Sequence, residues 1–161
     1  MDHFIVDNLK QIKNEVLLKK KDCKIIAVSK TFQIEKIRPL LEFGHLDFGE
    51  NKVQEANDKW SNIKNEFKDV KLHMIGKLQT NKVKFAVQLF DFIHSVDNEK
   101  LAKKISEEQK KQNKKVKLFI QVNIGNEDQK SGVFKKNLKN LYSYCKNLEL
   151  EVIRLMCIPP L

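Results

Sequence analysis

The segment Ala27-Val28-Ser29-Lys30-Thr31-Phe32 places a lysine and two hydroxyl side chains directly after the apolar run Ile25-Ile26-Ala27-Val28. A run this short, closed by polar residues and followed by a helical pattern, reads as a buried strand of an α/β protein. Lys30 then sits where the carboxyl end of that strand opens to solvent, the end at which parallel α/β folds collect their ligands. An amine half-buried there loses hydration, which disfavours its charged form. A neutral amine attacks an aldehyde and forms a Schiff base. Lysine is abundant, however, with only Arg38 and Arg154 as arginines among 31 basic residues. Taken alone, a strand-end lysine fits a solvated end-cap better than a nucleophile.

What raises Lys30 is the company it keeps. Polar residues recur wherever an apolar run ends: Ser29-Lys30-Thr31, Gly49-Glu50-Asn51, Gly76-Lys77-Leu78-Gln79, His94-Ser95, Asn123 and Met156. In a barrel these all fall on one rim, so one ligand can touch several of them. Gly49 and Gly76 would let a flat ring or a phosphate approach the backbone. Two of these residues have plainer explanations. His73, inside a strand, reads first as a hydrogen-bonded core residue, and Asn51 as the cap of the helix that follows it. The histidines His3, His45, His73 and His94 lack metal-ligand spacing, so no metal is expected.

The elements that must position these residues alternate along the chain. An amphipathic helix is expected over about 4–20, with Phe4, Ile5, Leu9, Ile12, Val16 and Leu17 on its apolar face. Strands are expected near 23–29, 46–49, 70–75, 91–96, 116–124 and 150–158. The helices between them start near 33, 51, 80, 98 and 134. The helix at 33–43 stops at Gly44 and contains Pro39, tolerable in a first turn and otherwise a kink. Asn51, Thr80 and Asn98 are the expected caps. Repeated βα units every 20–30 residues, without a hairpin signal, argue a parallel sheet with crossover helices, and suit a (β/α) TIM-type barrel better than a doubly wound sheet.

Composition narrows the class. The 161 residues fit a single domain spanning 1–161, and 41% hydrophobic with 32% charged residues is globular. No apolar stretch reaches membrane-span length and no secretory signal opens the chain. Cys23, Cys145 and Cys157 are widely spaced and suit reduced thiols in a cytoplasmic protein. The net charge of +10 invites nucleic acid, but the lysines are interleaved with acids and arginine is nearly absent, which argues against that partner. No G-x-G-x-x-G or P-loop pattern occurs.

Seven segments in order carry a resemblance: Val28-Ser29-Lys30-Thr31; Phe48-Gly49-Glu50-Asn51-x-x-Gln54-Glu55; His73-x-x-Gly76-x-Leu78-Gln79-x-Asn81-Lys82; Phe92-x-x-His94-Ser95-Val96-Asp97; Gln121-Val122-Asn123-Ile124; Lys130-Ser131-Gly132-Val133; and Leu155-Met156-Cys157-Ile158-Pro159. They resemble the YggS/PROSC family of pyridoxal phosphate homeostasis proteins, which is similar to the N-terminal barrel domain of alanine racemase. The resemblance implies a fold-type III barrel that binds pyridoxal 5′-phosphate (PLP). It implies a Schiff base on Lys30, with Asn51, His73, Gly76 and Met156 near the cofactor and Lys130 on a loop that handles it. It implies PLP homeostasis with no substrate turnover, hence no catalytic residue. The rival expectations are a PLP-dependent racemase or decarboxylase and an inactive fragment.

The chain departs from the family in three places. The serine- and glycine-rich phosphate-holding junction and the later arginine–glycine motif have no counterpart, so about six of eight βα units are expected and PLP should be held weakly. Arg154 stands where the family generally has glycine and would fit badly in a buried strand. An incomplete, C-terminally truncated barrel would leave two unpaired edges, prone to self-association or to completion by a complementing C-terminal fragment.

Overall fold

The computed structural model describes residues 4–125, 127 and 129–159. His3 and Pro160 therefore lie outside the described residues. The order is α1 (Phe4–Lys19), β1 (Ala27–Val28), α2 (Ile34–Glu42), β2 (Asp47–Glu50), α3 (Val53–Trp60), α4 (Ile63–Glu66), β3 (Lys71–Met74), α5 (Val83–Leu89), β4 (Phe92–Val96), α6 (Glu99–Gln112), β5 (Lys117–Asn123), β6 (Val133–Phe134), α7 (Leu138–Asn147) and β7 (Val152–Met156). All strand pairs are parallel, joining β1 to β2, β2 to β3, β3 to β4, β4 to β5, and β5 to both β6 and β7. This is the expected βα array. Among the described residues no pairing joins β7 to β1, so the sheet is open along that seam.

Alternation along each strand divides the side chains. Phe48, Leu72, Met74, Ile93, Leu118 and Ile120 are buried in the main core, where Phe48 meets Trp60 of α3 at 5.1 Å between ring centroids. The register sets His73 beside Gly49 and Phe92, and Phe119 beside Arg154. His73, His94, Phe92 and Phe119 form a ring stack, with His73 against Phe92 at 4.3 Å and His94 against Phe119 at 3.9 Å.

Two helix ends follow their sequence signals closely. Asn98 caps α6, its side-chain oxygen accepting from the Leu101 amide at 2.9 Å. Gly44 ends α2 at φ +86°, with Gly44 N–H donating to Leu41 and His45 N–H to Leu40. This paired pattern is a Schellman stop, which needs a left-handed residue at that position.

Other expectations are corrected. Neither Asn51 nor Thr80 is a helix cap. Lys52 stands at the N-cap of α3 and Gln79 before the 3₁₀ turn Thr80–Lys82, both without a side-chain cap bond. Pro39 lies inside α2, beyond the first turn. The apolar face expected on α1 is largely uncovered. Val6 and Leu9 are buried, whereas Phe4, Ile12, Leu17 and Leu18 are exposed. The helix meets α2, and Ile5 packs partly buried against the core. The two-residue β6 was not expected, and Phe134 belongs to it and not to α7. Arg154 is exposed at the seam edge, so its guanidinium stays solvated and the expected misfit does not arise.

Candidate functional site at the carboxyl rim

Because every strand runs the same way, the residues after β1, β2, β3, β5 and β7 gather at one edge of the sheet. Lys30 lies in the turn after β1, Asn51 directly after β2, Gly76 two residues after β3, and Met156 ends β7. A cavity of about 280 Å³ opens there, lined by Asn51, Ile75, Gly76, Lys77, Gln121, Val122, Asn123, Lys130, Ser131 and Ile158. The fold thus brings together Asn51 and Gly76, expected on the rim from their strand-end positions, and Lys130, which only the resemblance had placed near them. Met156 is half-buried on β7 and does not line this cavity, and neither does Lys30. Val28, Ser29 and Phe32 instead line an apolar groove of about 600 Å³ between β1, α1 and α2.

Lys30 is exposed, not half-buried as the strand-end argument supposed. The reason is topological: β1 is an edge strand that, among the described residues, pairs with β2 alone, and it gives way to a turn at residues 30 and 31. The residues around Lys30 are nonetheless tightly held. Ser29 is buried and donates its hydroxyl to Glu50 Oε1 at 2.7 Å, while its amide donates to the Gly49 carbonyl at 2.9 Å. Lys59 Nζ donates to the Ser29 carbonyl at 2.7 Å, to Glu50 at 2.9 Å and to Glu55 at 3.2 Å. The Trp60 indole N–H also donates to Glu50 Oε1, at 2.9 Å. The Thr31 amide donates to Glu55, and Thr31 sits at φ +65°. That amide bond, ahead of Lys59, holds the Glu55 carboxyl below its usual range.

Gly76 has a different rationale from the one its type suggested. A Cβ there would lie 2.3 Å from the Asn51 carbonyl oxygen and 2.7 Å from its Cα. What approaches Gly76 is the protein's own backbone, and the close contact locks the ends of β2 and β3 together. Gly49 likewise faces the side chains of Ile26 and Ile75, each 3.0 Å from a built Cβ.

His73 matches the core expectation. Its Nε2 bonds the Asp47 carboxylate at 2.9 Å and its Nδ1 bonds His94 Nε2 at 2.9 Å. Since the carboxylate only accepts, His73 donates from Nε2 and its Nδ1 accepts from His94. Burial lowers the pKa of both rings, and that of His94, beside His73, falls to about 4. Beyond β5, a loop folds back onto its strand. Asn123 Nδ2 donates to the Glu127 and Lys130 carbonyls at 2.8 and 3.3 Å, and Lys130 pairs with Glu127 at 2.6 Å. Lys130 Nζ also reaches the Pro159 carbonyl at 3.4 Å. Among the described residues no group of three or more His, Cys, Asp or Glu is arranged to hold a metal, and no helix is long and apolar enough to cross a membrane.

Sequence reasoning missed Glu50, Lys59 and Glu55 as a unit. Ser29 and Glu50 are 21 residues apart, and spacing alone cannot join them. The only local signal was the pair Glu55 and Lys59, four apart on one helix.

A parallel βα array with a lysine in the turn after its first strand, and a cavity on the same rim, defines an α/β barrel-type domain with a candidate ligand site. The chain belongs to the alanine racemase N-terminal domain family, whose profile matches residues 4–161, and within it to the pyridoxal phosphate homeostasis proteins. It is 41% identical over 138 residues to the pyridoxal phosphate homeostasis protein of Aquifex aeolicus, covering 85% of this chain and 60% of that protein. It is 38% identical over 159 residues to that of Buchnera aphidicola, covering 92% and 69%. Thus the chain spans about 60–70% of the length of these relatives. PipY of Synechococcus elongatus, solved with PLP bound, superposes at TM-score 0.87 with 32% identity, covering 98% of this chain and 71% of PipY. Alanine racemase of Clostridium difficile shares the fold at TM-score 0.74 and 15% identity, covering 96% of this chain and 41% of the enzyme.

Proposed function

We propose that this chain is a single cytoplasmic domain, residues 1–161, that binds pyridoxal 5′-phosphate at its carboxyl rim and holds it without turning over a substrate. Lys30 is the covalent attachment point. The carrying observation is a lysine in a pinned turn on the same rim as a cavity lined by Asn51, Gly76 and Lys130. The residues fit the group: an exposed amine suits an aldehyde, Lys77 and Lys130 suit a phosphate dianion, and Asn51, Gln121 and Asn123 offer amides. When bound, PLP supplies an aldehyde carbon that the Lys30 amine can attack. Met156 and His73 take supporting places, His73 from inside the sheet. The names of the relatives and the PLP-bound PipY structure support the same reading.

Proton handling supports the reading without turnover. Racemisation needs proton transfer on two faces of a substrate. His73 is buried with both ring nitrogens committed, one to Asp47 and one to His94, so it is not a free second base. The test is covalent mapping. The full chain incubated with PLP and reduced with borohydride is expected to carry the label on Lys30, and the Lys30→Ala variant to lose it. An unlabelled Lys30 in the unaltered protein would overturn the reading. Exchange of α-hydrogen into amino acids by the PLP-loaded protein would replace it with the enzymatic one.

A further inference from the structure

We propose that Glu50, Lys59 and Glu55 are positioning residues that fix the Lys30 amine for attack on an aldehyde. The inference rests on the PLP reading above. Glu50 is fully buried, and three donors converge on one of its oxygens: the Ser29 hydroxyl, the Lys59 ammonium and the Trp60 indole. Lys59 then grips the Ser29 carbonyl, and through Glu55 the chain of bonds reaches the Thr31 amide. The residue before Lys30 and the residue after it are therefore held by one connected network, while Lys30 itself stays exposed.

Thr31 adds an independent sign. A β-branched residue at φ +65° is an uncommon backbone state, and such states persist where their surroundings over-determine them. Here the Glu55 bond does so. Without the tether, Thr31 would relax toward negative φ and carry Lys30 with it. Lys59 is not a rival attachment point, because its ammonium is nearly buried and committed to three acceptors. The step served forms a bond from Lys30 Nζ to the aldehyde carbon, and the aldehyde oxygen leaves as water with the two amine protons. Orientation is worth most in such a step, where a small misplacement slows attack severely.

The experiment uses the full chain with Glu55→Ala, Glu55→Asp and Glu55→Gln. Alanine removes the acceptor, aspartate keeps the charge beside Lys59 but shortens the reach, and glutamine retains an accepting oxygen. Thr31 amide exchange, read without cofactor, is expected to quicken at least about tenfold in the alanine and aspartate variants. Formation of the borohydride-reducible adduct on Lys30 with PLP should slow by at least about tenfold. Glutamine should restore most of both, and the urea midpoint should barely move in any variant. Labelling of Lys30 at the unaltered rate in the two shortened variants, or slowing that only tracks a lost folded fraction, overturns the inference alone. Failure of the unaltered protein to label Lys30 overturns both this inference and the reading beneath it.

Discussion

Among single residues, the histidine pair and the buried lysine make opposite demands on charge. His94 is neutral in the folded chain, its pKa lowered to about 4 by burial and by His73. An unfolded histidine titrates near ~6.5. Between those values the unfolded chain binds the extra proton, so stability is full above about pH 6.5 and is lost as pH falls toward 4. The loss for His94 should reach on the order of 3 kcal/mol. Urea midpoints measured across that range should show this slope in the unaltered protein and a shallower one in His94→Gln. Lys59→Met presents the converse case, leaving Glu50 buried without its cation. It should cost roughly 3–5 kcal/mol in urea unfolding at neutral pH. Lys30 was legible as a strand-end amine, yet its exposure was not, because exposure depends on which strand ends up at the sheet edge. His73 was legible as a core residue because a strand interior has few other uses for an imidazole.

At the scale of elements, two glycines separate conformational need from close contact. Gly44 has positive φ but nothing within 4 Å of a built Cβ. Gly44→Ala should cost about 1 kcal/mol, the strain of the left-handed state alone. Gly76→Ala meets the Asn51 backbone, so the end of β2 must move. Its cost should be clearly larger, and crystal or NMR comparison should show the shift at Asn51 while Gly44→Ala leaves the rim unchanged. The long strands β4 and β5 were readable from their apolar, β-branched runs. The strand expected at 23–29 shrank to Ala27–Val28, since an edge strand pairs on one side only. Asn98 was readable as a cap because its side chain does the work locally. Asn51 and Thr80 were not, because the first turns of α3 and of the 3₁₀ segment are set by their backbones and by the contact with Gly76.

For the molecule as a whole, the open seam matters most. Val28 and Phe32 on one side, and Ile153, Leu155 and Ile158 on the other, are exposed apolar side chains beside unpaired strand edges. Such edges invite pairing with another chain. Sedimentation over a range of concentrations is expected to show self-association, reduced by Val28→Lys and Leu155→Lys; a single non-associating species throughout would refute it. The chain also contains one tryptophan, and it is fully buried with its indole N–H on the carboxylate that holds Ser29. Its emission is therefore a built-in optical gauge of the turn before Lys30. Occupancy of the rim, or loosening of the network by a distant substitution, can be followed by intrinsic fluorescence in the unlabelled protein.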